Sequence, residues 1–200
     1  MGRLKGPPGP YSVHLCIDMQ RLFAENGPWP TPWLRRVLPT IESLVRRAPE
    51  RTIFTRLIPP IASGEAKGMW QTYYAKWPSV TRAVMDLSLL RLVPELEQFA
   101  PPATVIDKPV YSAFATGQLH AHLQAKHVNT LIVTGSETDV CVLSSVLNAV
   151  DHGYRLIVVK DGLCSSSDEA HNASMQLYAG RFDIQVELAD AEEVLDGWAP

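Results

Sequence analysis

LIVTGSETDVCVLSSVLNAV, residues 131–150, decides the reading of this chain. Leu131, Ile132 and Val133 read as a buried β-strand. A turn of small and polar residues follows, from Thr134 to Asp139. Val142, Val146, Leu147 and Val150 then recur at helical spacing. The order is strand, tight turn, helix, with Cys141 in the first helical turn. A thiol there meets unpaired backbone N–H groups and the positive end of a helix dipole. Both favour thiolate, the nucleophilic form. The alternative is a small buried apolar residue, the usual fate of a cysteine.

Outward from this stretch, strands and helices alternate. Residues 13–17, VHLCI, form a first strand that ends on Asp18. Residues 33–48 carry an apolar helical face, and Pro39 inside it is expected to kink or divide the helix. Residues 52–55, TIFT, are a second strand. Residues 57–77 read as a long irregular insertion with Pro59, Pro60, Gly64 and Gly68 and an aromatic group, Trp70, Tyr73, Tyr74 and Trp77; long loops are often functional. Residues 87–99 are partly helical. Residues 104–106 are a third strand leading into Asp107 and Lys108, and 118–126 a helix. Residues 155–159, RLIVV, are a fifth strand. Ser166 and Glu169 have capping-box spacing and open a helix towards Tyr178. Residues 184–186 are a sixth strand, followed by a short acidic helix. This alternation predicts an α/β protein: a three-layer α/β/α, Rossmann-like fold with a six-stranded, mainly parallel sheet and right-handed crossovers.

The chain has 200 residues and a formal net charge of −3. That length suits one domain, assigned to residues 13–200, after a loose Gly- and Pro-rich arm, residues 1–12. The arm has no apolar core and does not read as a secretory signal. No apolar run is long enough to span a bilayer. The weak charge gives no reason to expect nucleic acid or membrane as a partner. Cys16, Cys141 and Cys164 form neither a disulfide framework nor a CxxC site, which points to a reducing cytoplasm.

Ligands of open parallel sheets bind beyond the carboxyl ends of the strands. That rule selects Asp18, Lys108 and Cys141. An acid, an amine and a thiol at one sheet edge make a nucleophilic device. The ammonium stabilises thiolate, and the carboxylate takes the thiol proton and later delivers it to a leaving amine. Singly, each has a plainer reading: Asp18 as a turn cap, Lys108 as a solvated surface residue.

These residues carry a resemblance. CIDMQRLF with Asp18, VIDKPVYSAF with Lys108, TGSETDVCV with Cys141 and DGLCSSSDEAH after the fifth strand resemble the isochorismatase-like cysteine hydrolases, among them nicotinamidases, N-carbamoylsarcosine amidase and ureide hydrolases. The resemblance runs from about Val13 to Val186. It implies a Cys141–Asp18–Lys108 triad that cleaves a C–N bond of a small amide, carbamoyl or ureide substrate through a thioester. It also implies a cis Ser136–Glu137 peptide, with the N–H groups of Glu137 and Cys141 as an oxyanion hole. No cofactor is implied. A homo-oligomer, dimer or tetramer, is expected, with the aromatic insertion as a contact surface. Vinyl-ether hydrolysis, which needs an acid but no thiol, and a non-catalytic binding module are the alternatives.

Departures from the pattern narrow the expectation. Nicotinamidases of this type carry an Asp-x-His metal pair after the second strand. Here that place reads TRLIPPIASGEAKGMW, without His or Asp, so no metal site is expected. His120 and His122 lie two apart on a helix and point to different faces. His171 is read as a capping or packing residue, Cys16 as inert core and Cys164 as a spectator. Glu137 replaces a small residue; its side chain faces either the pocket or solvent. Gln20, Phe23, Trp70, Tyr111 and Phe114 are the candidate pocket residues, with Trp29 and Tyr74 as further aromatics. Phe23 and Tyr111 are favoured because they closely follow Asp18 and Lys108.

Overall fold

A computed structural model describes residues 4–199. Its six strands are β1 (Ser12–Ile17), β2 (Thr52–Leu57), β3 (Thr104–Lys108), β4 (Thr130–Ser136), β5 (Arg155–Cys164) and β6 (Val186–Ala189). They form one sheet in the order β3-β2-β1-β4-β5-β6, with every neighbouring pair parallel. The helices are α1 (Leu34–Arg47), α2 (Met69–Lys76), α3 (Pro94–Glu97), α4 (Gln118–Ala125), α5 (Leu143–Asp151), α6 (Asp168–Gly180) and α7 (Ala191–Gly197).

Side-chain alternation along the strands builds the three layers. Val13, Leu15 and Ile17 of β1 face α4, α5 and α6, joining Leu119, Leu123, Val146, Ala149 and Tyr178. Cys16 and Phe54 face the other way, onto Leu34, Val37, Ile41 and Val45 of α1. Ile132, Ile157 and Val159 pack on that side against Leu44, Val194 and Trp198. Both faces are covered, as a parallel sheet requires. No helix among the described residues is long and apolar enough to cross a membrane.

The chain runs outward from β1 to β3, then returns to place β4 on β1's free side. β1 and β4 therefore flank the point where strand order reverses, the position of ligand crevices in such sheets. Gly135 marks it. Its φ is +120°, and a Cβ there would lie 2.1 Å from the carbonyl oxygen of Ile17, its register partner on β1. Only glycine allows that approach.

Several expectations need correction. Pro39 does not divide α1; it lies inside one continuous helix with its ring exposed. The insertion is not wholly irregular, since its aromatic half folds as α2. The cap of α6 is Ser167, not Ser166: its Oγ accepts from the N–H of Ala170. The sixth strand starts at Val186, so residues 184 and 185 precede it. The arm is not loose over its described part. Leu4 and Lys5 N–H donate to Glu193 and Glu187, and Arg155 donates to the carbonyls of Gly6 and Pro7. Residues 1–3 lie outside the described residues.

Candidate active site

Asp18 is the first residue beyond β1 and is fully buried. Its φ of +50° puts it in the left-handed region, which Asp tolerates better than most residues. Thr55 on β2 holds it there. The Thr55 hydroxyl donates to Asp18 Oδ1 at 2.7 Å, and the Asp18 N–H donates to the Thr55 carbonyl at 3.2 Å. Oδ2 stands 2.6 Å from Lys108 Nζ, a fully buried ion pair.

Lys108 ends β3 opposite Leu57 of β2. Its ammonium crosses beneath β2 to Asp18, two strands away, and donates to the carbonyl of Val110 at 3.0 Å. Burial opposes the ammonium, but its neighbours, the Asp18 carboxylate foremost, outweigh it and hold the Lys108 pKa above its ordinary value. The lysine is therefore a fixed positive charge in the interior. A lone buried ammonium would be costly; this one is paired.

Cys141 lies in a π-helical turn, Thr138–Val142, that precedes α5. Such turns often mark functional positions. The N–H groups of Val140 and Val142, on either side of Cys141, donate to the carbonyl of Glu137. The Ser136–Glu137 peptide is cis. Burial and the neighbouring Asp18 carboxylate push the thiol well above its ordinary range, against the opposing pull of Lys108. This corrects the expectation of a resting thiolate. The helix end and the ammonium do not offset desolvation and the neighbouring carboxylate, so the surroundings favour thiol over thiolate.

The turn is fastened to the loop after β5. Thr138 Oγ1 donates to the Cys164 carbonyl at 3.1 Å, so its single proton is used there. His171 Nδ1, 2.8 Å from the same oxygen, must then be the donor, which fixes its tautomer. Trp33 packs on the His171 ring with centroids 5.4 Å apart. Asp139 accepts from Ser165, and the Glu137 carboxylate accepts from the N–H and hydroxyl of Ser166. His171 is a bracing residue of the catalytic-type turn, and Glu137 is anchored at its rim.

A cavity of about 470 Å³ opens over Cys141. Phe23, Trp29, Tyr73, Trp77 and Tyr111 wall it, and Glu137 and Ser166 stand at its edge. Phe23 and Tyr111 are therefore among its lining residues, as is Trp29. Gln20 is not: fully buried, it brackets Leu57, accepting from its N–H and donating to its carbonyl and to that of Leu90. It is a brace between β2 and the segment after α2. Phe114 packs inside the core beside His152 and Tyr154. Trp70 and Tyr74 face a separate cavity of about 480 Å³ on the other side of α2. An irregular segment over 57–77 gives no ground for choosing Tyr73 and Trp77 over Trp70 and Tyr74. Once they form a helix, 70 and 74 share one face and 73 and 77 the next. Thr55 is a further site residue, not among the sequence candidates, although its place at the end of TIFT sets it beside Asp18.

The segment where nicotinamidases of this type carry a metal pair supplies Leu57 to the wall over Cys141 and Ile58 and Pro59 to the neighbouring cavity. Asp107, the nearest carboxylate on β3, is held by both nitrogens of the Arg56 guanidinium. This donor set does not fit a metal, and no three His, Cys, Asp or Glu among the described residues gather to hold one.

A family model described as an isochorismatase domain matches residues 12–192. Nicotinamidase 3 of Arabidopsis thaliana is 27% identical over 186 residues, covering 92% of this chain and 89% of that protein. An uncharacterized isochorismatase family protein of Bacillus subtilis, PncA, is 31% identical over 86 residues; that match spans 43% of this chain and 47% of the relative, under half of either. Among solved structures, a cysteine hydrolase from Pseudomonas syringae pv. phaseolicola superposes with a TM-score of 0.83 at 22% identity, covering 98% of this chain and 96% of the other.

Proposed function

The chain belongs to the isochorismatase family of hydrolases, and on that premise we propose that it is a cysteine-dependent amidohydrolase that cleaves the C–N bond of a small amide, carbamoyl or ureide compound. The observation that supports this most is the buried Lys108–Asp18 pair, 2.6 Å apart, set at the thiol of Cys141. A carboxylate beside a protonated thiol is a general base in waiting.

In the first half-reaction Cys141 Sγ attacks the carbonyl carbon as its proton passes to Asp18. The carbonyl electron pair moves onto oxygen, where the N–H groups of Glu137 and Cys141 receive it. Preorganised donors of this kind are worth about 2.7–4 kcal/mol each. As charge leaves Asp18 and appears on sulfur and oxygen, Lys108 stays protonated and offsets it. The intermediate collapses, the C–N bond breaks, and the proton on Asp18 passes to the departing nitrogen as ammonia or an amine. In the second half-reaction Asp18 takes a proton from water, the oxygen attacks the thioester, the C–S bond breaks, and the proton returns to sulfur.

The test is a screen of small amides and ureides for ammonia release, with Cys141→Ala as control. Release that persists undiminished in the control removes the thiol from the reaction.

A further inference from the structure

The cavity over Cys141 has an unusual balance of chemistry. Five aromatic rings face it and are packed against one another. Phe23 lies 6.1 Å from Trp29 in a stacked arrangement, Trp29 is 6.3 Å from Trp77 edge-on, and Tyr73 is 6.4 Å from Tyr111 edge-on. Of the described residues that line it, Glu137 alone carries a charge. Its carboxylate is fixed by the N–H and hydroxyl of Ser166. Burial chiefly disfavours ionisation of the Tyr111 phenol, and the Glu137 carboxylate adds to it.

No arginine, lysine or histidine among the described residues lines this cavity. Lys108 lines the neighbouring cavity instead and is already matched by Asp18. A substrate carboxylate would therefore meet Glu137 with no cation to receive it. A substrate cation would meet the opposite: ring faces, which attract positive charge, and a carboxylate at the rim. One of these rings already carries a cation on the outside, since the ammonium of exposed Lys76 sits 5.8 Å from the Trp77 centroid. Lys76 does not line the cavity, and water screens it.

We infer that this cavity selects amides whose acyl group carries a positive charge, such as a quaternary or protonated amine, with Glu137 and the aromatic walls as the specificity determinants. The inference rests on the amidohydrolase reading and names the substrate class of that site. The Glu137 backbone serves the reacting oxygen in that reading; its side chain, pointing to Ser166, is the part that reads charge.

Three amides of one skeleton test it: trimethylammonioacetamide, its uncharged isostere 3,3-dimethylbutanamide, and malonamate. Two readouts are taken with each, protection of Cys141 against iodoacetamide and ammonia release. The cationic amide is expected to protect at about tenfold lower concentration than the isostere, about 1.4 kcal/mol, with malonamate weakest. In Glu137→Gln, which keeps an acceptor for Ser166, the cation-to-isostere ratio should fall to within about threefold. Trp29→Leu, which keeps apolar volume but removes a ring face, should lower the same ratio and provides the reading if the first variant is misfolded. Equal or better protection by the isostere, or a ratio untouched in both variants, overturns the inference. Ammonia release from the isostere without preference for the cation sinks charge selection and leaves the amidohydrolase reading standing. Selective protection by the cation with no ammonia from any amide does the reverse.

Discussion

Thr55 and Asp18 hold one another from neighbouring strands: the hydroxyl donates to Oδ1 at 2.7 Å while the Asp18 N–H donates back to the Thr55 carbonyl. Thr55→Val keeps the shape but leaves a buried carboxylate oxygen unpaired, a loss of about 1–3 kcal/mol. The expected result is a fall in kcat of about tenfold or more with little change in KM, restored by Thr55→Ser. A Thr55→Val enzyme with normal kcat would show that the ion pair alone positions Asp18.

The three thiols differ in access rather than in charge. Cys141 borders the cavity, whereas Cys16 and Cys164 are wholly buried. Burial raises the Cys16 thiol far above its ordinary range and pushes Cys164 up to about 12. Iodoacetamide should therefore modify Cys141 first, as read by peptide mass mapping. Cys141→Ala should cost about a thousandfold or more in kcat/KM. Earlier labelling of Cys164 would reverse the assignment.

His14 carries an acid sensitivity unrelated to the reaction. It is fully buried on β1, with Nε2 2.8 Å from Thr134 Oγ1, and burial lowers its pKa from 6.5 to about 3. The unfolded chain takes up a proton below pH 6.5 that the folded chain refuses. The stabilisation is therefore present above that pH and is lost as pH falls towards 3, at about 1.4 kcal/mol per pH unit. Urea unfolding at a series of pH values should give a shallower acid limb in His14→Gln than in the parent. Equal slopes would mean that other groups dominate.

Gly135→Ala should be severely destabilising, because the new methyl group would meet Ile17 backbone at 2.1 Å and force a side chain into a φ of +120°. A loss of about 3 kcal/mol or more is expected, with a matching fall in Tm. A small loss would indicate that β1 and β4 can separate without cost.

The contrast between Asp18 and Gln20 shows how far sequence reasoning reaches. Asp18, Lys108 and Cys141 were legible because strand ends of a parallel sheet share one edge, a rule that needs only the order of elements. Gln20, a candidate pocket residue two places from Asp18, does not share that edge: the left-handed bend at Asp18 turns the chain, and Gln20 faces Leu57 instead. Phe114 follows Lys108 by six residues and ends in the core beneath α5, which no local pattern reports. The thiol's protonation is not legible in sequence for a related reason. A helix start is visible in sequence, but the depth of burial that outweighs it belongs to the packed molecule.

Helix α2 lies between Gly68, whose φ of +55° lets the chain turn in, and Pro78, which follows its end. It adds Tyr73 and Trp77 to the cavity but none of the three groups at the sheet edge. One wall of the cavity is thus carried by a segment apart from the sheet edge, and the rest by Phe23, Trp29, Tyr111 and Glu137, which adjoin it. Residues 59–78 form a cassette for that one wall: exchanging the segment between β2 and the run to β3 would reshape it and leave Glu137 and the three sheet-edge groups in place.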